Sequence, residues 1–152
     1  IGYRTKGGKV SAVYCHFDGY PEWMANAIPK FIAHHGIRKF MSEIRRAQKQ
    51  GGIRSIHAHP GRNPSIETYG DLRSEKSTNE WTRTQRHIDE GCFDEYAYIV
   101  NSTTGRIGEV YMHLTKGKNL GTRVLVDMAC VDVSPSERFT HQHLLDLWAD
   151  NT

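Results

Sequence analysis

Residues 13–22 read VYCHFDGYPE, and this segment holds the change from strand to helix that organises the fold. The apolar and aromatic residues at its start are typical of a β-strand, which we expect to end at Asp18-Gly19. Pro21 suits the first position of an α-helix, because the N–H that proline lacks has no partner inside a helix there. Such junctions often expose functional side chains, which makes His16 and Asp18 candidates for chemistry or binding.

Two β-hairpins are predicted on either side of this junction. The first turns at Gly7-Gly8, and its second strand covers 9–17. That strand carries apolar residues on both faces, so we expect it to be central, with elements packed on each side. The second hairpin joins strands over 96–101 and 106–113. Further strands are predicted over 53–59 and 122–133.

Helical spacing of apolar residues predicts about four α-helices. The first begins at Pro21 and ends before Gly36, with Pro29 expected to kink or split it. The others are predicted over 37–50, over 80–90, and from a cap at Ser134 or Ser136 into an amphipathic C-terminal stretch.

These elements predict an α+β fold, in which an antiparallel sheet built from two hairpins and an additional strand is packed against the helices. The 152 residues suit one domain covering 1–152. A polar stretch over 60–77, with prolines and glycines and little periodicity, is expected to be a long loop or a lid. No apolar run approaches the ~20 residues of a membrane-spanning helix.

The chain has three cysteines at wide spacing and no CxxC pair. This pattern supports neither a zinc ribbon nor a thioredoxin-type site. Free thiols are the rule in a reducing compartment, so a cytoplasmic location is expected.

A pair of histidines at alternate positions is the strongest metal-like signal. His57 and His59 share one face of a predicted strand, and His16 and Asp18 would supply two more ligands if the strands are neighbours. Such a site would bind a divalent metal and activate water for hydrolysis. The alternative is structural: the chain has nine histidines, and Asp18 would only cap the helix or hold the turn.

Cys15 is a second chemical candidate. Its neighbour His16 points to the opposite face of the strand, so a catalytic base would have to be His57, His59 or His113. The alternative is a buried cysteine that acts as a small core residue.

Basic residues are concentrated in one part of the chain, although the net charge is only +3. They predict either a partner-binding face or a solvated helix surface. The candidates are Lys30, Arg38, Lys39, Arg45, Arg46, Lys49 and Arg54, with Arg62 in the loop that follows.

Nucleic-acid binding is a further possibility, since the tyrosines of Tyr96–Asn101 would stack on bases if they were exposed. No RNP, KH or zinc-finger pattern accompanies them. The chain also has no P-loop, GxGxxG, GxSxG or HExxH motif, which argues against the common nucleotide-binding and hydrolase classes.

The segment VYCHFDGYPE resembles the opening of an uncharacterised family of small proteins from phages, prophages and some bacteria, which reads roughly VYCHWDGYPE. Phe17 stands where that family usually has tryptophan, and the aromatic hairpin after residue 95 looks like its later strands. The resemblance covers about a quarter of the chain and does not extend to 53–77. It implies a small phage-type protein in the bacterial cytoplasm, and the family provides no catalytic assignment to transfer to this chain.

Three functions therefore remain open. The first is a non-enzymatic protein that binds and modulates a host protein or nucleoprotein complex. The second is a metal-dependent hydrolase acting on a phosphodiester or nucleotide through the His/Asp cluster. The third is a nucleic-acid-binding module.

Overall fold

The computed structural model of the protein describes residues 1–72, 80–93, 95–112 and 140–150. Within these ranges the chain forms the predicted α+β fold. Its strands are β1 Gly2–Arg4, β2 Val10–Val13, β3 Ile53–His57, β4 Ser65–Thr68, β5 Thr82–Arg83, β6 Tyr96–Asn101 and β7 Arg106–Met112. Its helices are α1 Pro21–His35, α2 Ile37–Lys49, α3 Tyr69–Leu72, α4 Gln85–Asp89 and α5 His141–Asp150.

The main sheet has five strands in the order β5-β2-β1-β6-β7. Both predicted hairpins are present and antiparallel, β1 with β2 and β6 with β7. They meet through β1 and β6, which run parallel with Gly2 opposite Ile99. The sheet is therefore mixed and not wholly antiparallel. Parallel pairing needs a long crossover, and the chain between β2 and β6 provides one.

The two faces of this sheet are covered by different helices. Tyr98 and Val100 of β6 enter the main core with Phe31 of α1 and Phe40 of α2. Ile99, which lies between them, joins a smaller cluster with Ile88 of α4 and with Val10 and Ala12 of β2. The alternation of side chains along a strand produces this division. It confirms that β2 lies inside the sheet with side-chain packing on both faces.

The strand predicted over 9–17 is divided between two sheets. β2 ends at Val13, and Cys15 then forms a parallel bridge with Ile53 of β3. The His16 amide donates to the Ile53 carbonyl at 3.0 Å, and the Ile53 amide donates to the Tyr14 carbonyl at 2.8 Å. The backbone of the junction therefore links the five-stranded sheet to a second sheet formed by β3 and β4.

The segment predicted as a loop over 60–77 contains regular structure. Residues 65–68 form β4 against β3, and residues 69–72 form the single turn α3. Ile66 is the one apolar residue of β4, so the sequence has no alternation of polar and apolar residues there that would indicate a strand. The pairing depends instead on β3.

Helix α1 runs from Pro21 to His35 without interruption, so of the two predicted effects of Pro29, a kink or a split, the split does not occur. The buried residues Ile28 and Phe31 flank the proline, and their packing offsets the lost hydrogen bond. Helix α2 ends at Lys49 and is followed by Gly51 and Gly52, both with positive φ.

The helix predicted over 80–90 is shorter than expected. Thr82 and Arg83 pair with β2 as the edge strand β5, and α4 occupies only Gln85–Asp89. The C-terminal helix is present as α5, with Leu144 buried. The strand predicted over 122–133, the caps Ser134 and Ser136, and His113 lie outside the described residues. In the described ranges no helix has the length and apolar character needed to cross a membrane.

Candidate binding surface

The junction between β2 and α1 exposes two large apolar side chains. Asp18 adopts φ of 58°, the one positive φ outside glycine among the residues described, and Asp tolerates this region better than most residues. Helix α1 is preceded by Tyr20, without a side-chain cap, so the predicted capping role of Asp18 is wrong. Phe17 is 44% exposed and Tyr20 is 47% exposed.

His16 lies among aromatic rings. Its Nδ1 shares a 2.7 Å hydrogen bond with the Tyr14 hydroxyl. Its ring centroid is 4.3 Å from that of Phe17 and 6.1 Å from that of Tyr69. Tyr14 in turn lies 5.0 Å from Trp81, measured between ring centroids. His16 is thus a member of an aromatic cluster.

The four candidate metal ligands do not converge. The ring centroids of His57 and His59 are 6.3 Å apart, but each ring has a different neighbour. His57 Nε2 lies 3.6 Å from a Glu67 carboxylate oxygen, and His59 packs against Trp23 with centroids 5.4 Å apart. Over the described ranges, no three His, Cys, Asp or Glu side chains are placed to hold a metal ion. The four candidates therefore do not form the joint site that the metal hypothesis requires.

Cys15 has the surroundings of a structural thiol. Its Sγ donates to the Phe17 carbonyl oxygen at 3.6 Å. Burial raises the pKa of this thiol to about 11. A nucleophilic cysteine needs its pKa lowered, because the thiolate is the reactive form. The interpretation as a core cysteine is the one that this geometry favours.

Half of the eight predicted partner-binding residues make internal contacts. Arg46 bonds Glu43 at 2.6 Å and Asp71 at 2.7 Å, and also donates to the Ile66 carbonyl at 3.0 Å. Arg54 pairs with Glu67 at 2.5 Å. The other two contacts are Lys39 to Glu43 at 3.1 Å and Arg45 to the Tyr3 hydroxyl at 3.1 Å. Each of these four side chains therefore has a partner within the fold.

Two others, Lys30 and Arg62, both line an open groove of about 410 Å³. Lys30 comes from α1 and Arg62 from the turn between β3 and β4, and His34 and His59 join them in the lining. Each of these four side chains is exposed. His35 Nε2 lies 2.7 Å from the Pro64 carbonyl oxygen and ties this turn to α1. None of the groove's described lining residues is acidic.

The groove and the junction are joined by a chain of contacts. Glu67 lies between Arg54 and His57, and the Arg54 guanidinium lies 5.2 Å from the centre of the Phe17 ring. His57 neighbours His59, which lines the groove. We call this continuous region the contact surface. It comprises Phe17, Arg54, His57, His59, His34, Lys30 and Arg62.

Of the remaining predicted residues, Arg38 and Lys49 are exposed and lie outside the groove lining. His34 was missed by the sequence analysis, although it lies one helical turn after Lys30 and so on the same face.

No protein-family model, no curated protein and no solved structure matches this chain. Its function is therefore inferred from its own geometry.

Proposed function

We propose that this protein is a non-enzymatic binding protein that docks its contact surface on an acidic surface of a partner protein. The observation that carries the proposal is the groove, where Lys30 and Arg62 stand exposed with His34 and His59 and no acidic residue among the described lining. In line with the family resemblance, the partner is a host protein or nucleoprotein complex in the bacterial cytoplasm, and binding modulates its activity.

Aromatic side chains beside the groove favour a protein partner. Phe17 and Tyr20 are exposed at the junction, and the Arg54 guanidinium lies over the Phe17 ring. Aromatic residues and arginine are enriched at protein interfaces and supply much of their binding energy. The groove cations would add charge complementarity, which speeds association and selects against basic partners.

The other two functions receive less support. A hydrolase through His16, Asp18, His57 and His59 needs ligands that converge, and these do not. Nucleic-acid binding needs a larger set of free cations, because neutralised phosphates supply most of the affinity. Arg46 and Arg54 are instead paired with carboxylates.

The test is capture of partners from bacterial lysate by the tagged protein, followed by direct binding to the purified partner. Lys30→Glu/Arg62→Glu should weaken that binding at least tenfold. Arg38→Glu/Lys49→Glu makes the same change in net charge at exposed positions outside the groove, and is the matched control.

Equal loss in both double variants would show that only the overall charge matters and would contradict the proposed surface. Retention by the groove variant would also contradict it. Binding that disappears after nuclease treatment and falls steeply with salt would assign the surface to nucleic acid. A supported complex should bury at least ~1,200 Å² in total.

A further inference from the structure

A separate cavity of about 320 Å³ lies where β2 ends and β6 begins, beside α4. Its volume falls within the range of small-molecule sites. The lining shares Tyr14, His16 and Tyr20 with the junction, but none of the four polar groove residues, Lys30, His34, His59 and Arg62, reaches it. The cavity is therefore distinct from the groove.

Aromatic and aliphatic side chains form most of its walls. Five aromatic residues contribute, and Val13, Ile88 and Ile99 add aliphatic surface between them. The aromatic residues are Tyr14, Tyr20, Phe93, Tyr96 and Tyr98. Rings packed edge-to-face or offset against such walls gain about 1 kcal/mol beyond the burial of their area. The walls therefore suit a flat aromatic ligand.

The charged groups of the lining indicate that the ligand is neutral. The described lining contains one cationic and one anionic side chain, Arg83 and Glu95. Arg83 already donates to the carbonyl oxygens of Glu80 and Thr82 at 3.0 Å and 3.1 Å. Ile1 also lines the cavity, but its α-amino group donates to the Val13 carbonyl at 3.0 Å, and burial lowers the pKa of that group. These groups leave no excess of either sign to compensate a buried charge on the ligand.

His87 supplies a directional polar group. Its Nδ1 accepts a 3.0 Å hydrogen bond from the Thr84 backbone N–H. A neutral imidazole that accepts at Nδ1 carries its proton on Nε2. His87 also lines the cavity, and this hydrogen bond leaves its Nε2–H available to a ligand that reaches it. By contrast, the Tyr98 hydroxyl already donates to the Gly19 carbonyl at 2.7 Å.

We infer that this cavity binds a small, uncharged aromatic molecule that carries a hydrogen-bond acceptor, with the ring between the tyrosines and the acceptor facing His87. This site shares Tyr20 with the exposed aromatic residues of the junction, but it uses none of the four polar groove residues on which the partner-binding test depends, so the two proposals are tested separately.

The test uses benzamide as the probe, with its affinity measured by ligand-observed NMR titration. Cyclohexanecarboxamide keeps the carbonyl but lacks the aromatic ring, and toluene keeps the ring but lacks the acceptor. We expect benzamide to bind in the millimolar range, as suits a fragment of its size, and at least fivefold more tightly than either control.

Cys92 allows the site to be located. It is exposed and lines the cavity, so Cys92→Trp should fill part of the space and weaken benzamide binding at least tenfold. Cys92→Ser, the matched control, should stay within twofold of the wild type. In the unmodified protein, bound benzamide should slow the reaction of Cys92 with iodoacetamide in proportion to occupancy, which gives a readout that needs no variant.

The inference fails if benzamide does not bind, or if it binds Cys92→Trp as tightly as the wild type. Equal binding of toluene would overturn the role of the acceptor, and equal binding of cyclohexanecarboxamide would overturn the role of the aromatic walls. Circular dichroism of Cys92→Trp separates loss of the site from loss of the fold.

Discussion

Arg46 and Arg62 have the same side chain but lie in contrasting regions of the molecule. Arg46 contacts Glu43, Asp71 and the Ile66 carbonyl, and so fastens α2 to β4 and α3. Arg62 lies exposed on the rim of a groove together with Lys30. Both arginines were predicted to bind a partner. The contrast teaches that the basic residues of this chain divide into a set that holds the fold and a set that is available to a partner.

The largest expected effect is on the Arg46 network. Arg46→Met should lower the free energy of unfolding by about 3 kcal/mol, because the contacts with Glu43, Asp71 and the Ile66 carbonyl are lost together. The Glu43 side chain is only 12% exposed and keeps its ion pair with Lys39. Urea denaturation measures the change.

Arg62→Met is the matched control and should change stability by no more than about 0.5 kcal/mol, as is usual for exposed sites. Equal losses in the two variants would remove the distinction between the two sets of basic residues.

A second ion pair within the fold, between Arg4 and Glu109, should make the stability of the protein depend on pH. Arg4 bonds both carboxylate oxygens of Glu109 at 2.7 Å. Burial raises the pKa of Glu109, but hydrogen bonds from Arg4 and Tyr111 outweigh it, so the pKa lies below its ordinary value of 4.5. The pair therefore stabilises the protein above pH 4.5, and this stabilisation is lost as the pH falls through the lowered pKa.

Glu109→Gln should cost about 1 kcal/mol at pH 7 and little at acid pH, where the wild-type carboxylate is itself protonated. Thermal unfolding of the wild type and the variant between pH 2 and pH 7 measures the cost at neutral pH and at acid pH. A cost that is the same at both ends of this range would show that the pair adds no charge-dependent stability.

The contact surface should carry little of the stability. Phe17→Ala removes an exposed ring and its contact with Arg54, and we expect a loss of about 0.5 kcal/mol, typical of an exposed cation–π pair. Binding to the partner should fall much more, since exposed aromatic anchors dominate interfaces. The reverse ranking, with a large loss of stability and unchanged binding, would make Phe17 a structural residue.

The two described cysteines also differ in how far the fold encloses them. This difference is tested by the reactivity of their thiols and not by the stability of the protein. With its pKa raised to about 11 by burial, Cys15 is a thiolate in only about one molecule in a thousand at pH 8. Cys92 is exposed. Peptide mass spectrometry after brief iodoacetamide treatment at pH 8 should show Cys92 modified at least tenfold faster. Comparable rates would mean that Cys15 is reached by solvent.

Local patterns predicted the elements that depend on neighbours in the chain. Gly7-Gly8 marked the first hairpin, Pro21 marked the start of α1, and both appear as expected. Contacts between distant segments had no such signal. The parallel pairing of β1 with β6 and the pairing of β4 with β3 are therefore visible only in the structure.

The same reason explains what was missed in the contact surface. Lys30 and Arg62 were both singled out, but their spacing in the chain does not show that they share a groove with His34 and His59. Nor does the sequence show that the Glu67 carboxylate pairs with the Arg54 guanidinium and lies 3.6 Å from the His57 imidazole. Side chains that meet through tertiary packing have no periodic pattern.

The parallel pairing of β1 with β6 sets an order of events during synthesis. Gly2 pairs with Ile99, so the first strand is made long before its neighbour exists. At ribosomal rates of about 5–20 residues per second, the β1 edge of the nascent hairpin waits roughly 5–20 s for β6, and the β2 edge is open until β5 is made. An open strand edge invites pairing with other chains. Correct folding of this protein thus depends on the β1 edge staying unpaired until β6 leaves the ribosome.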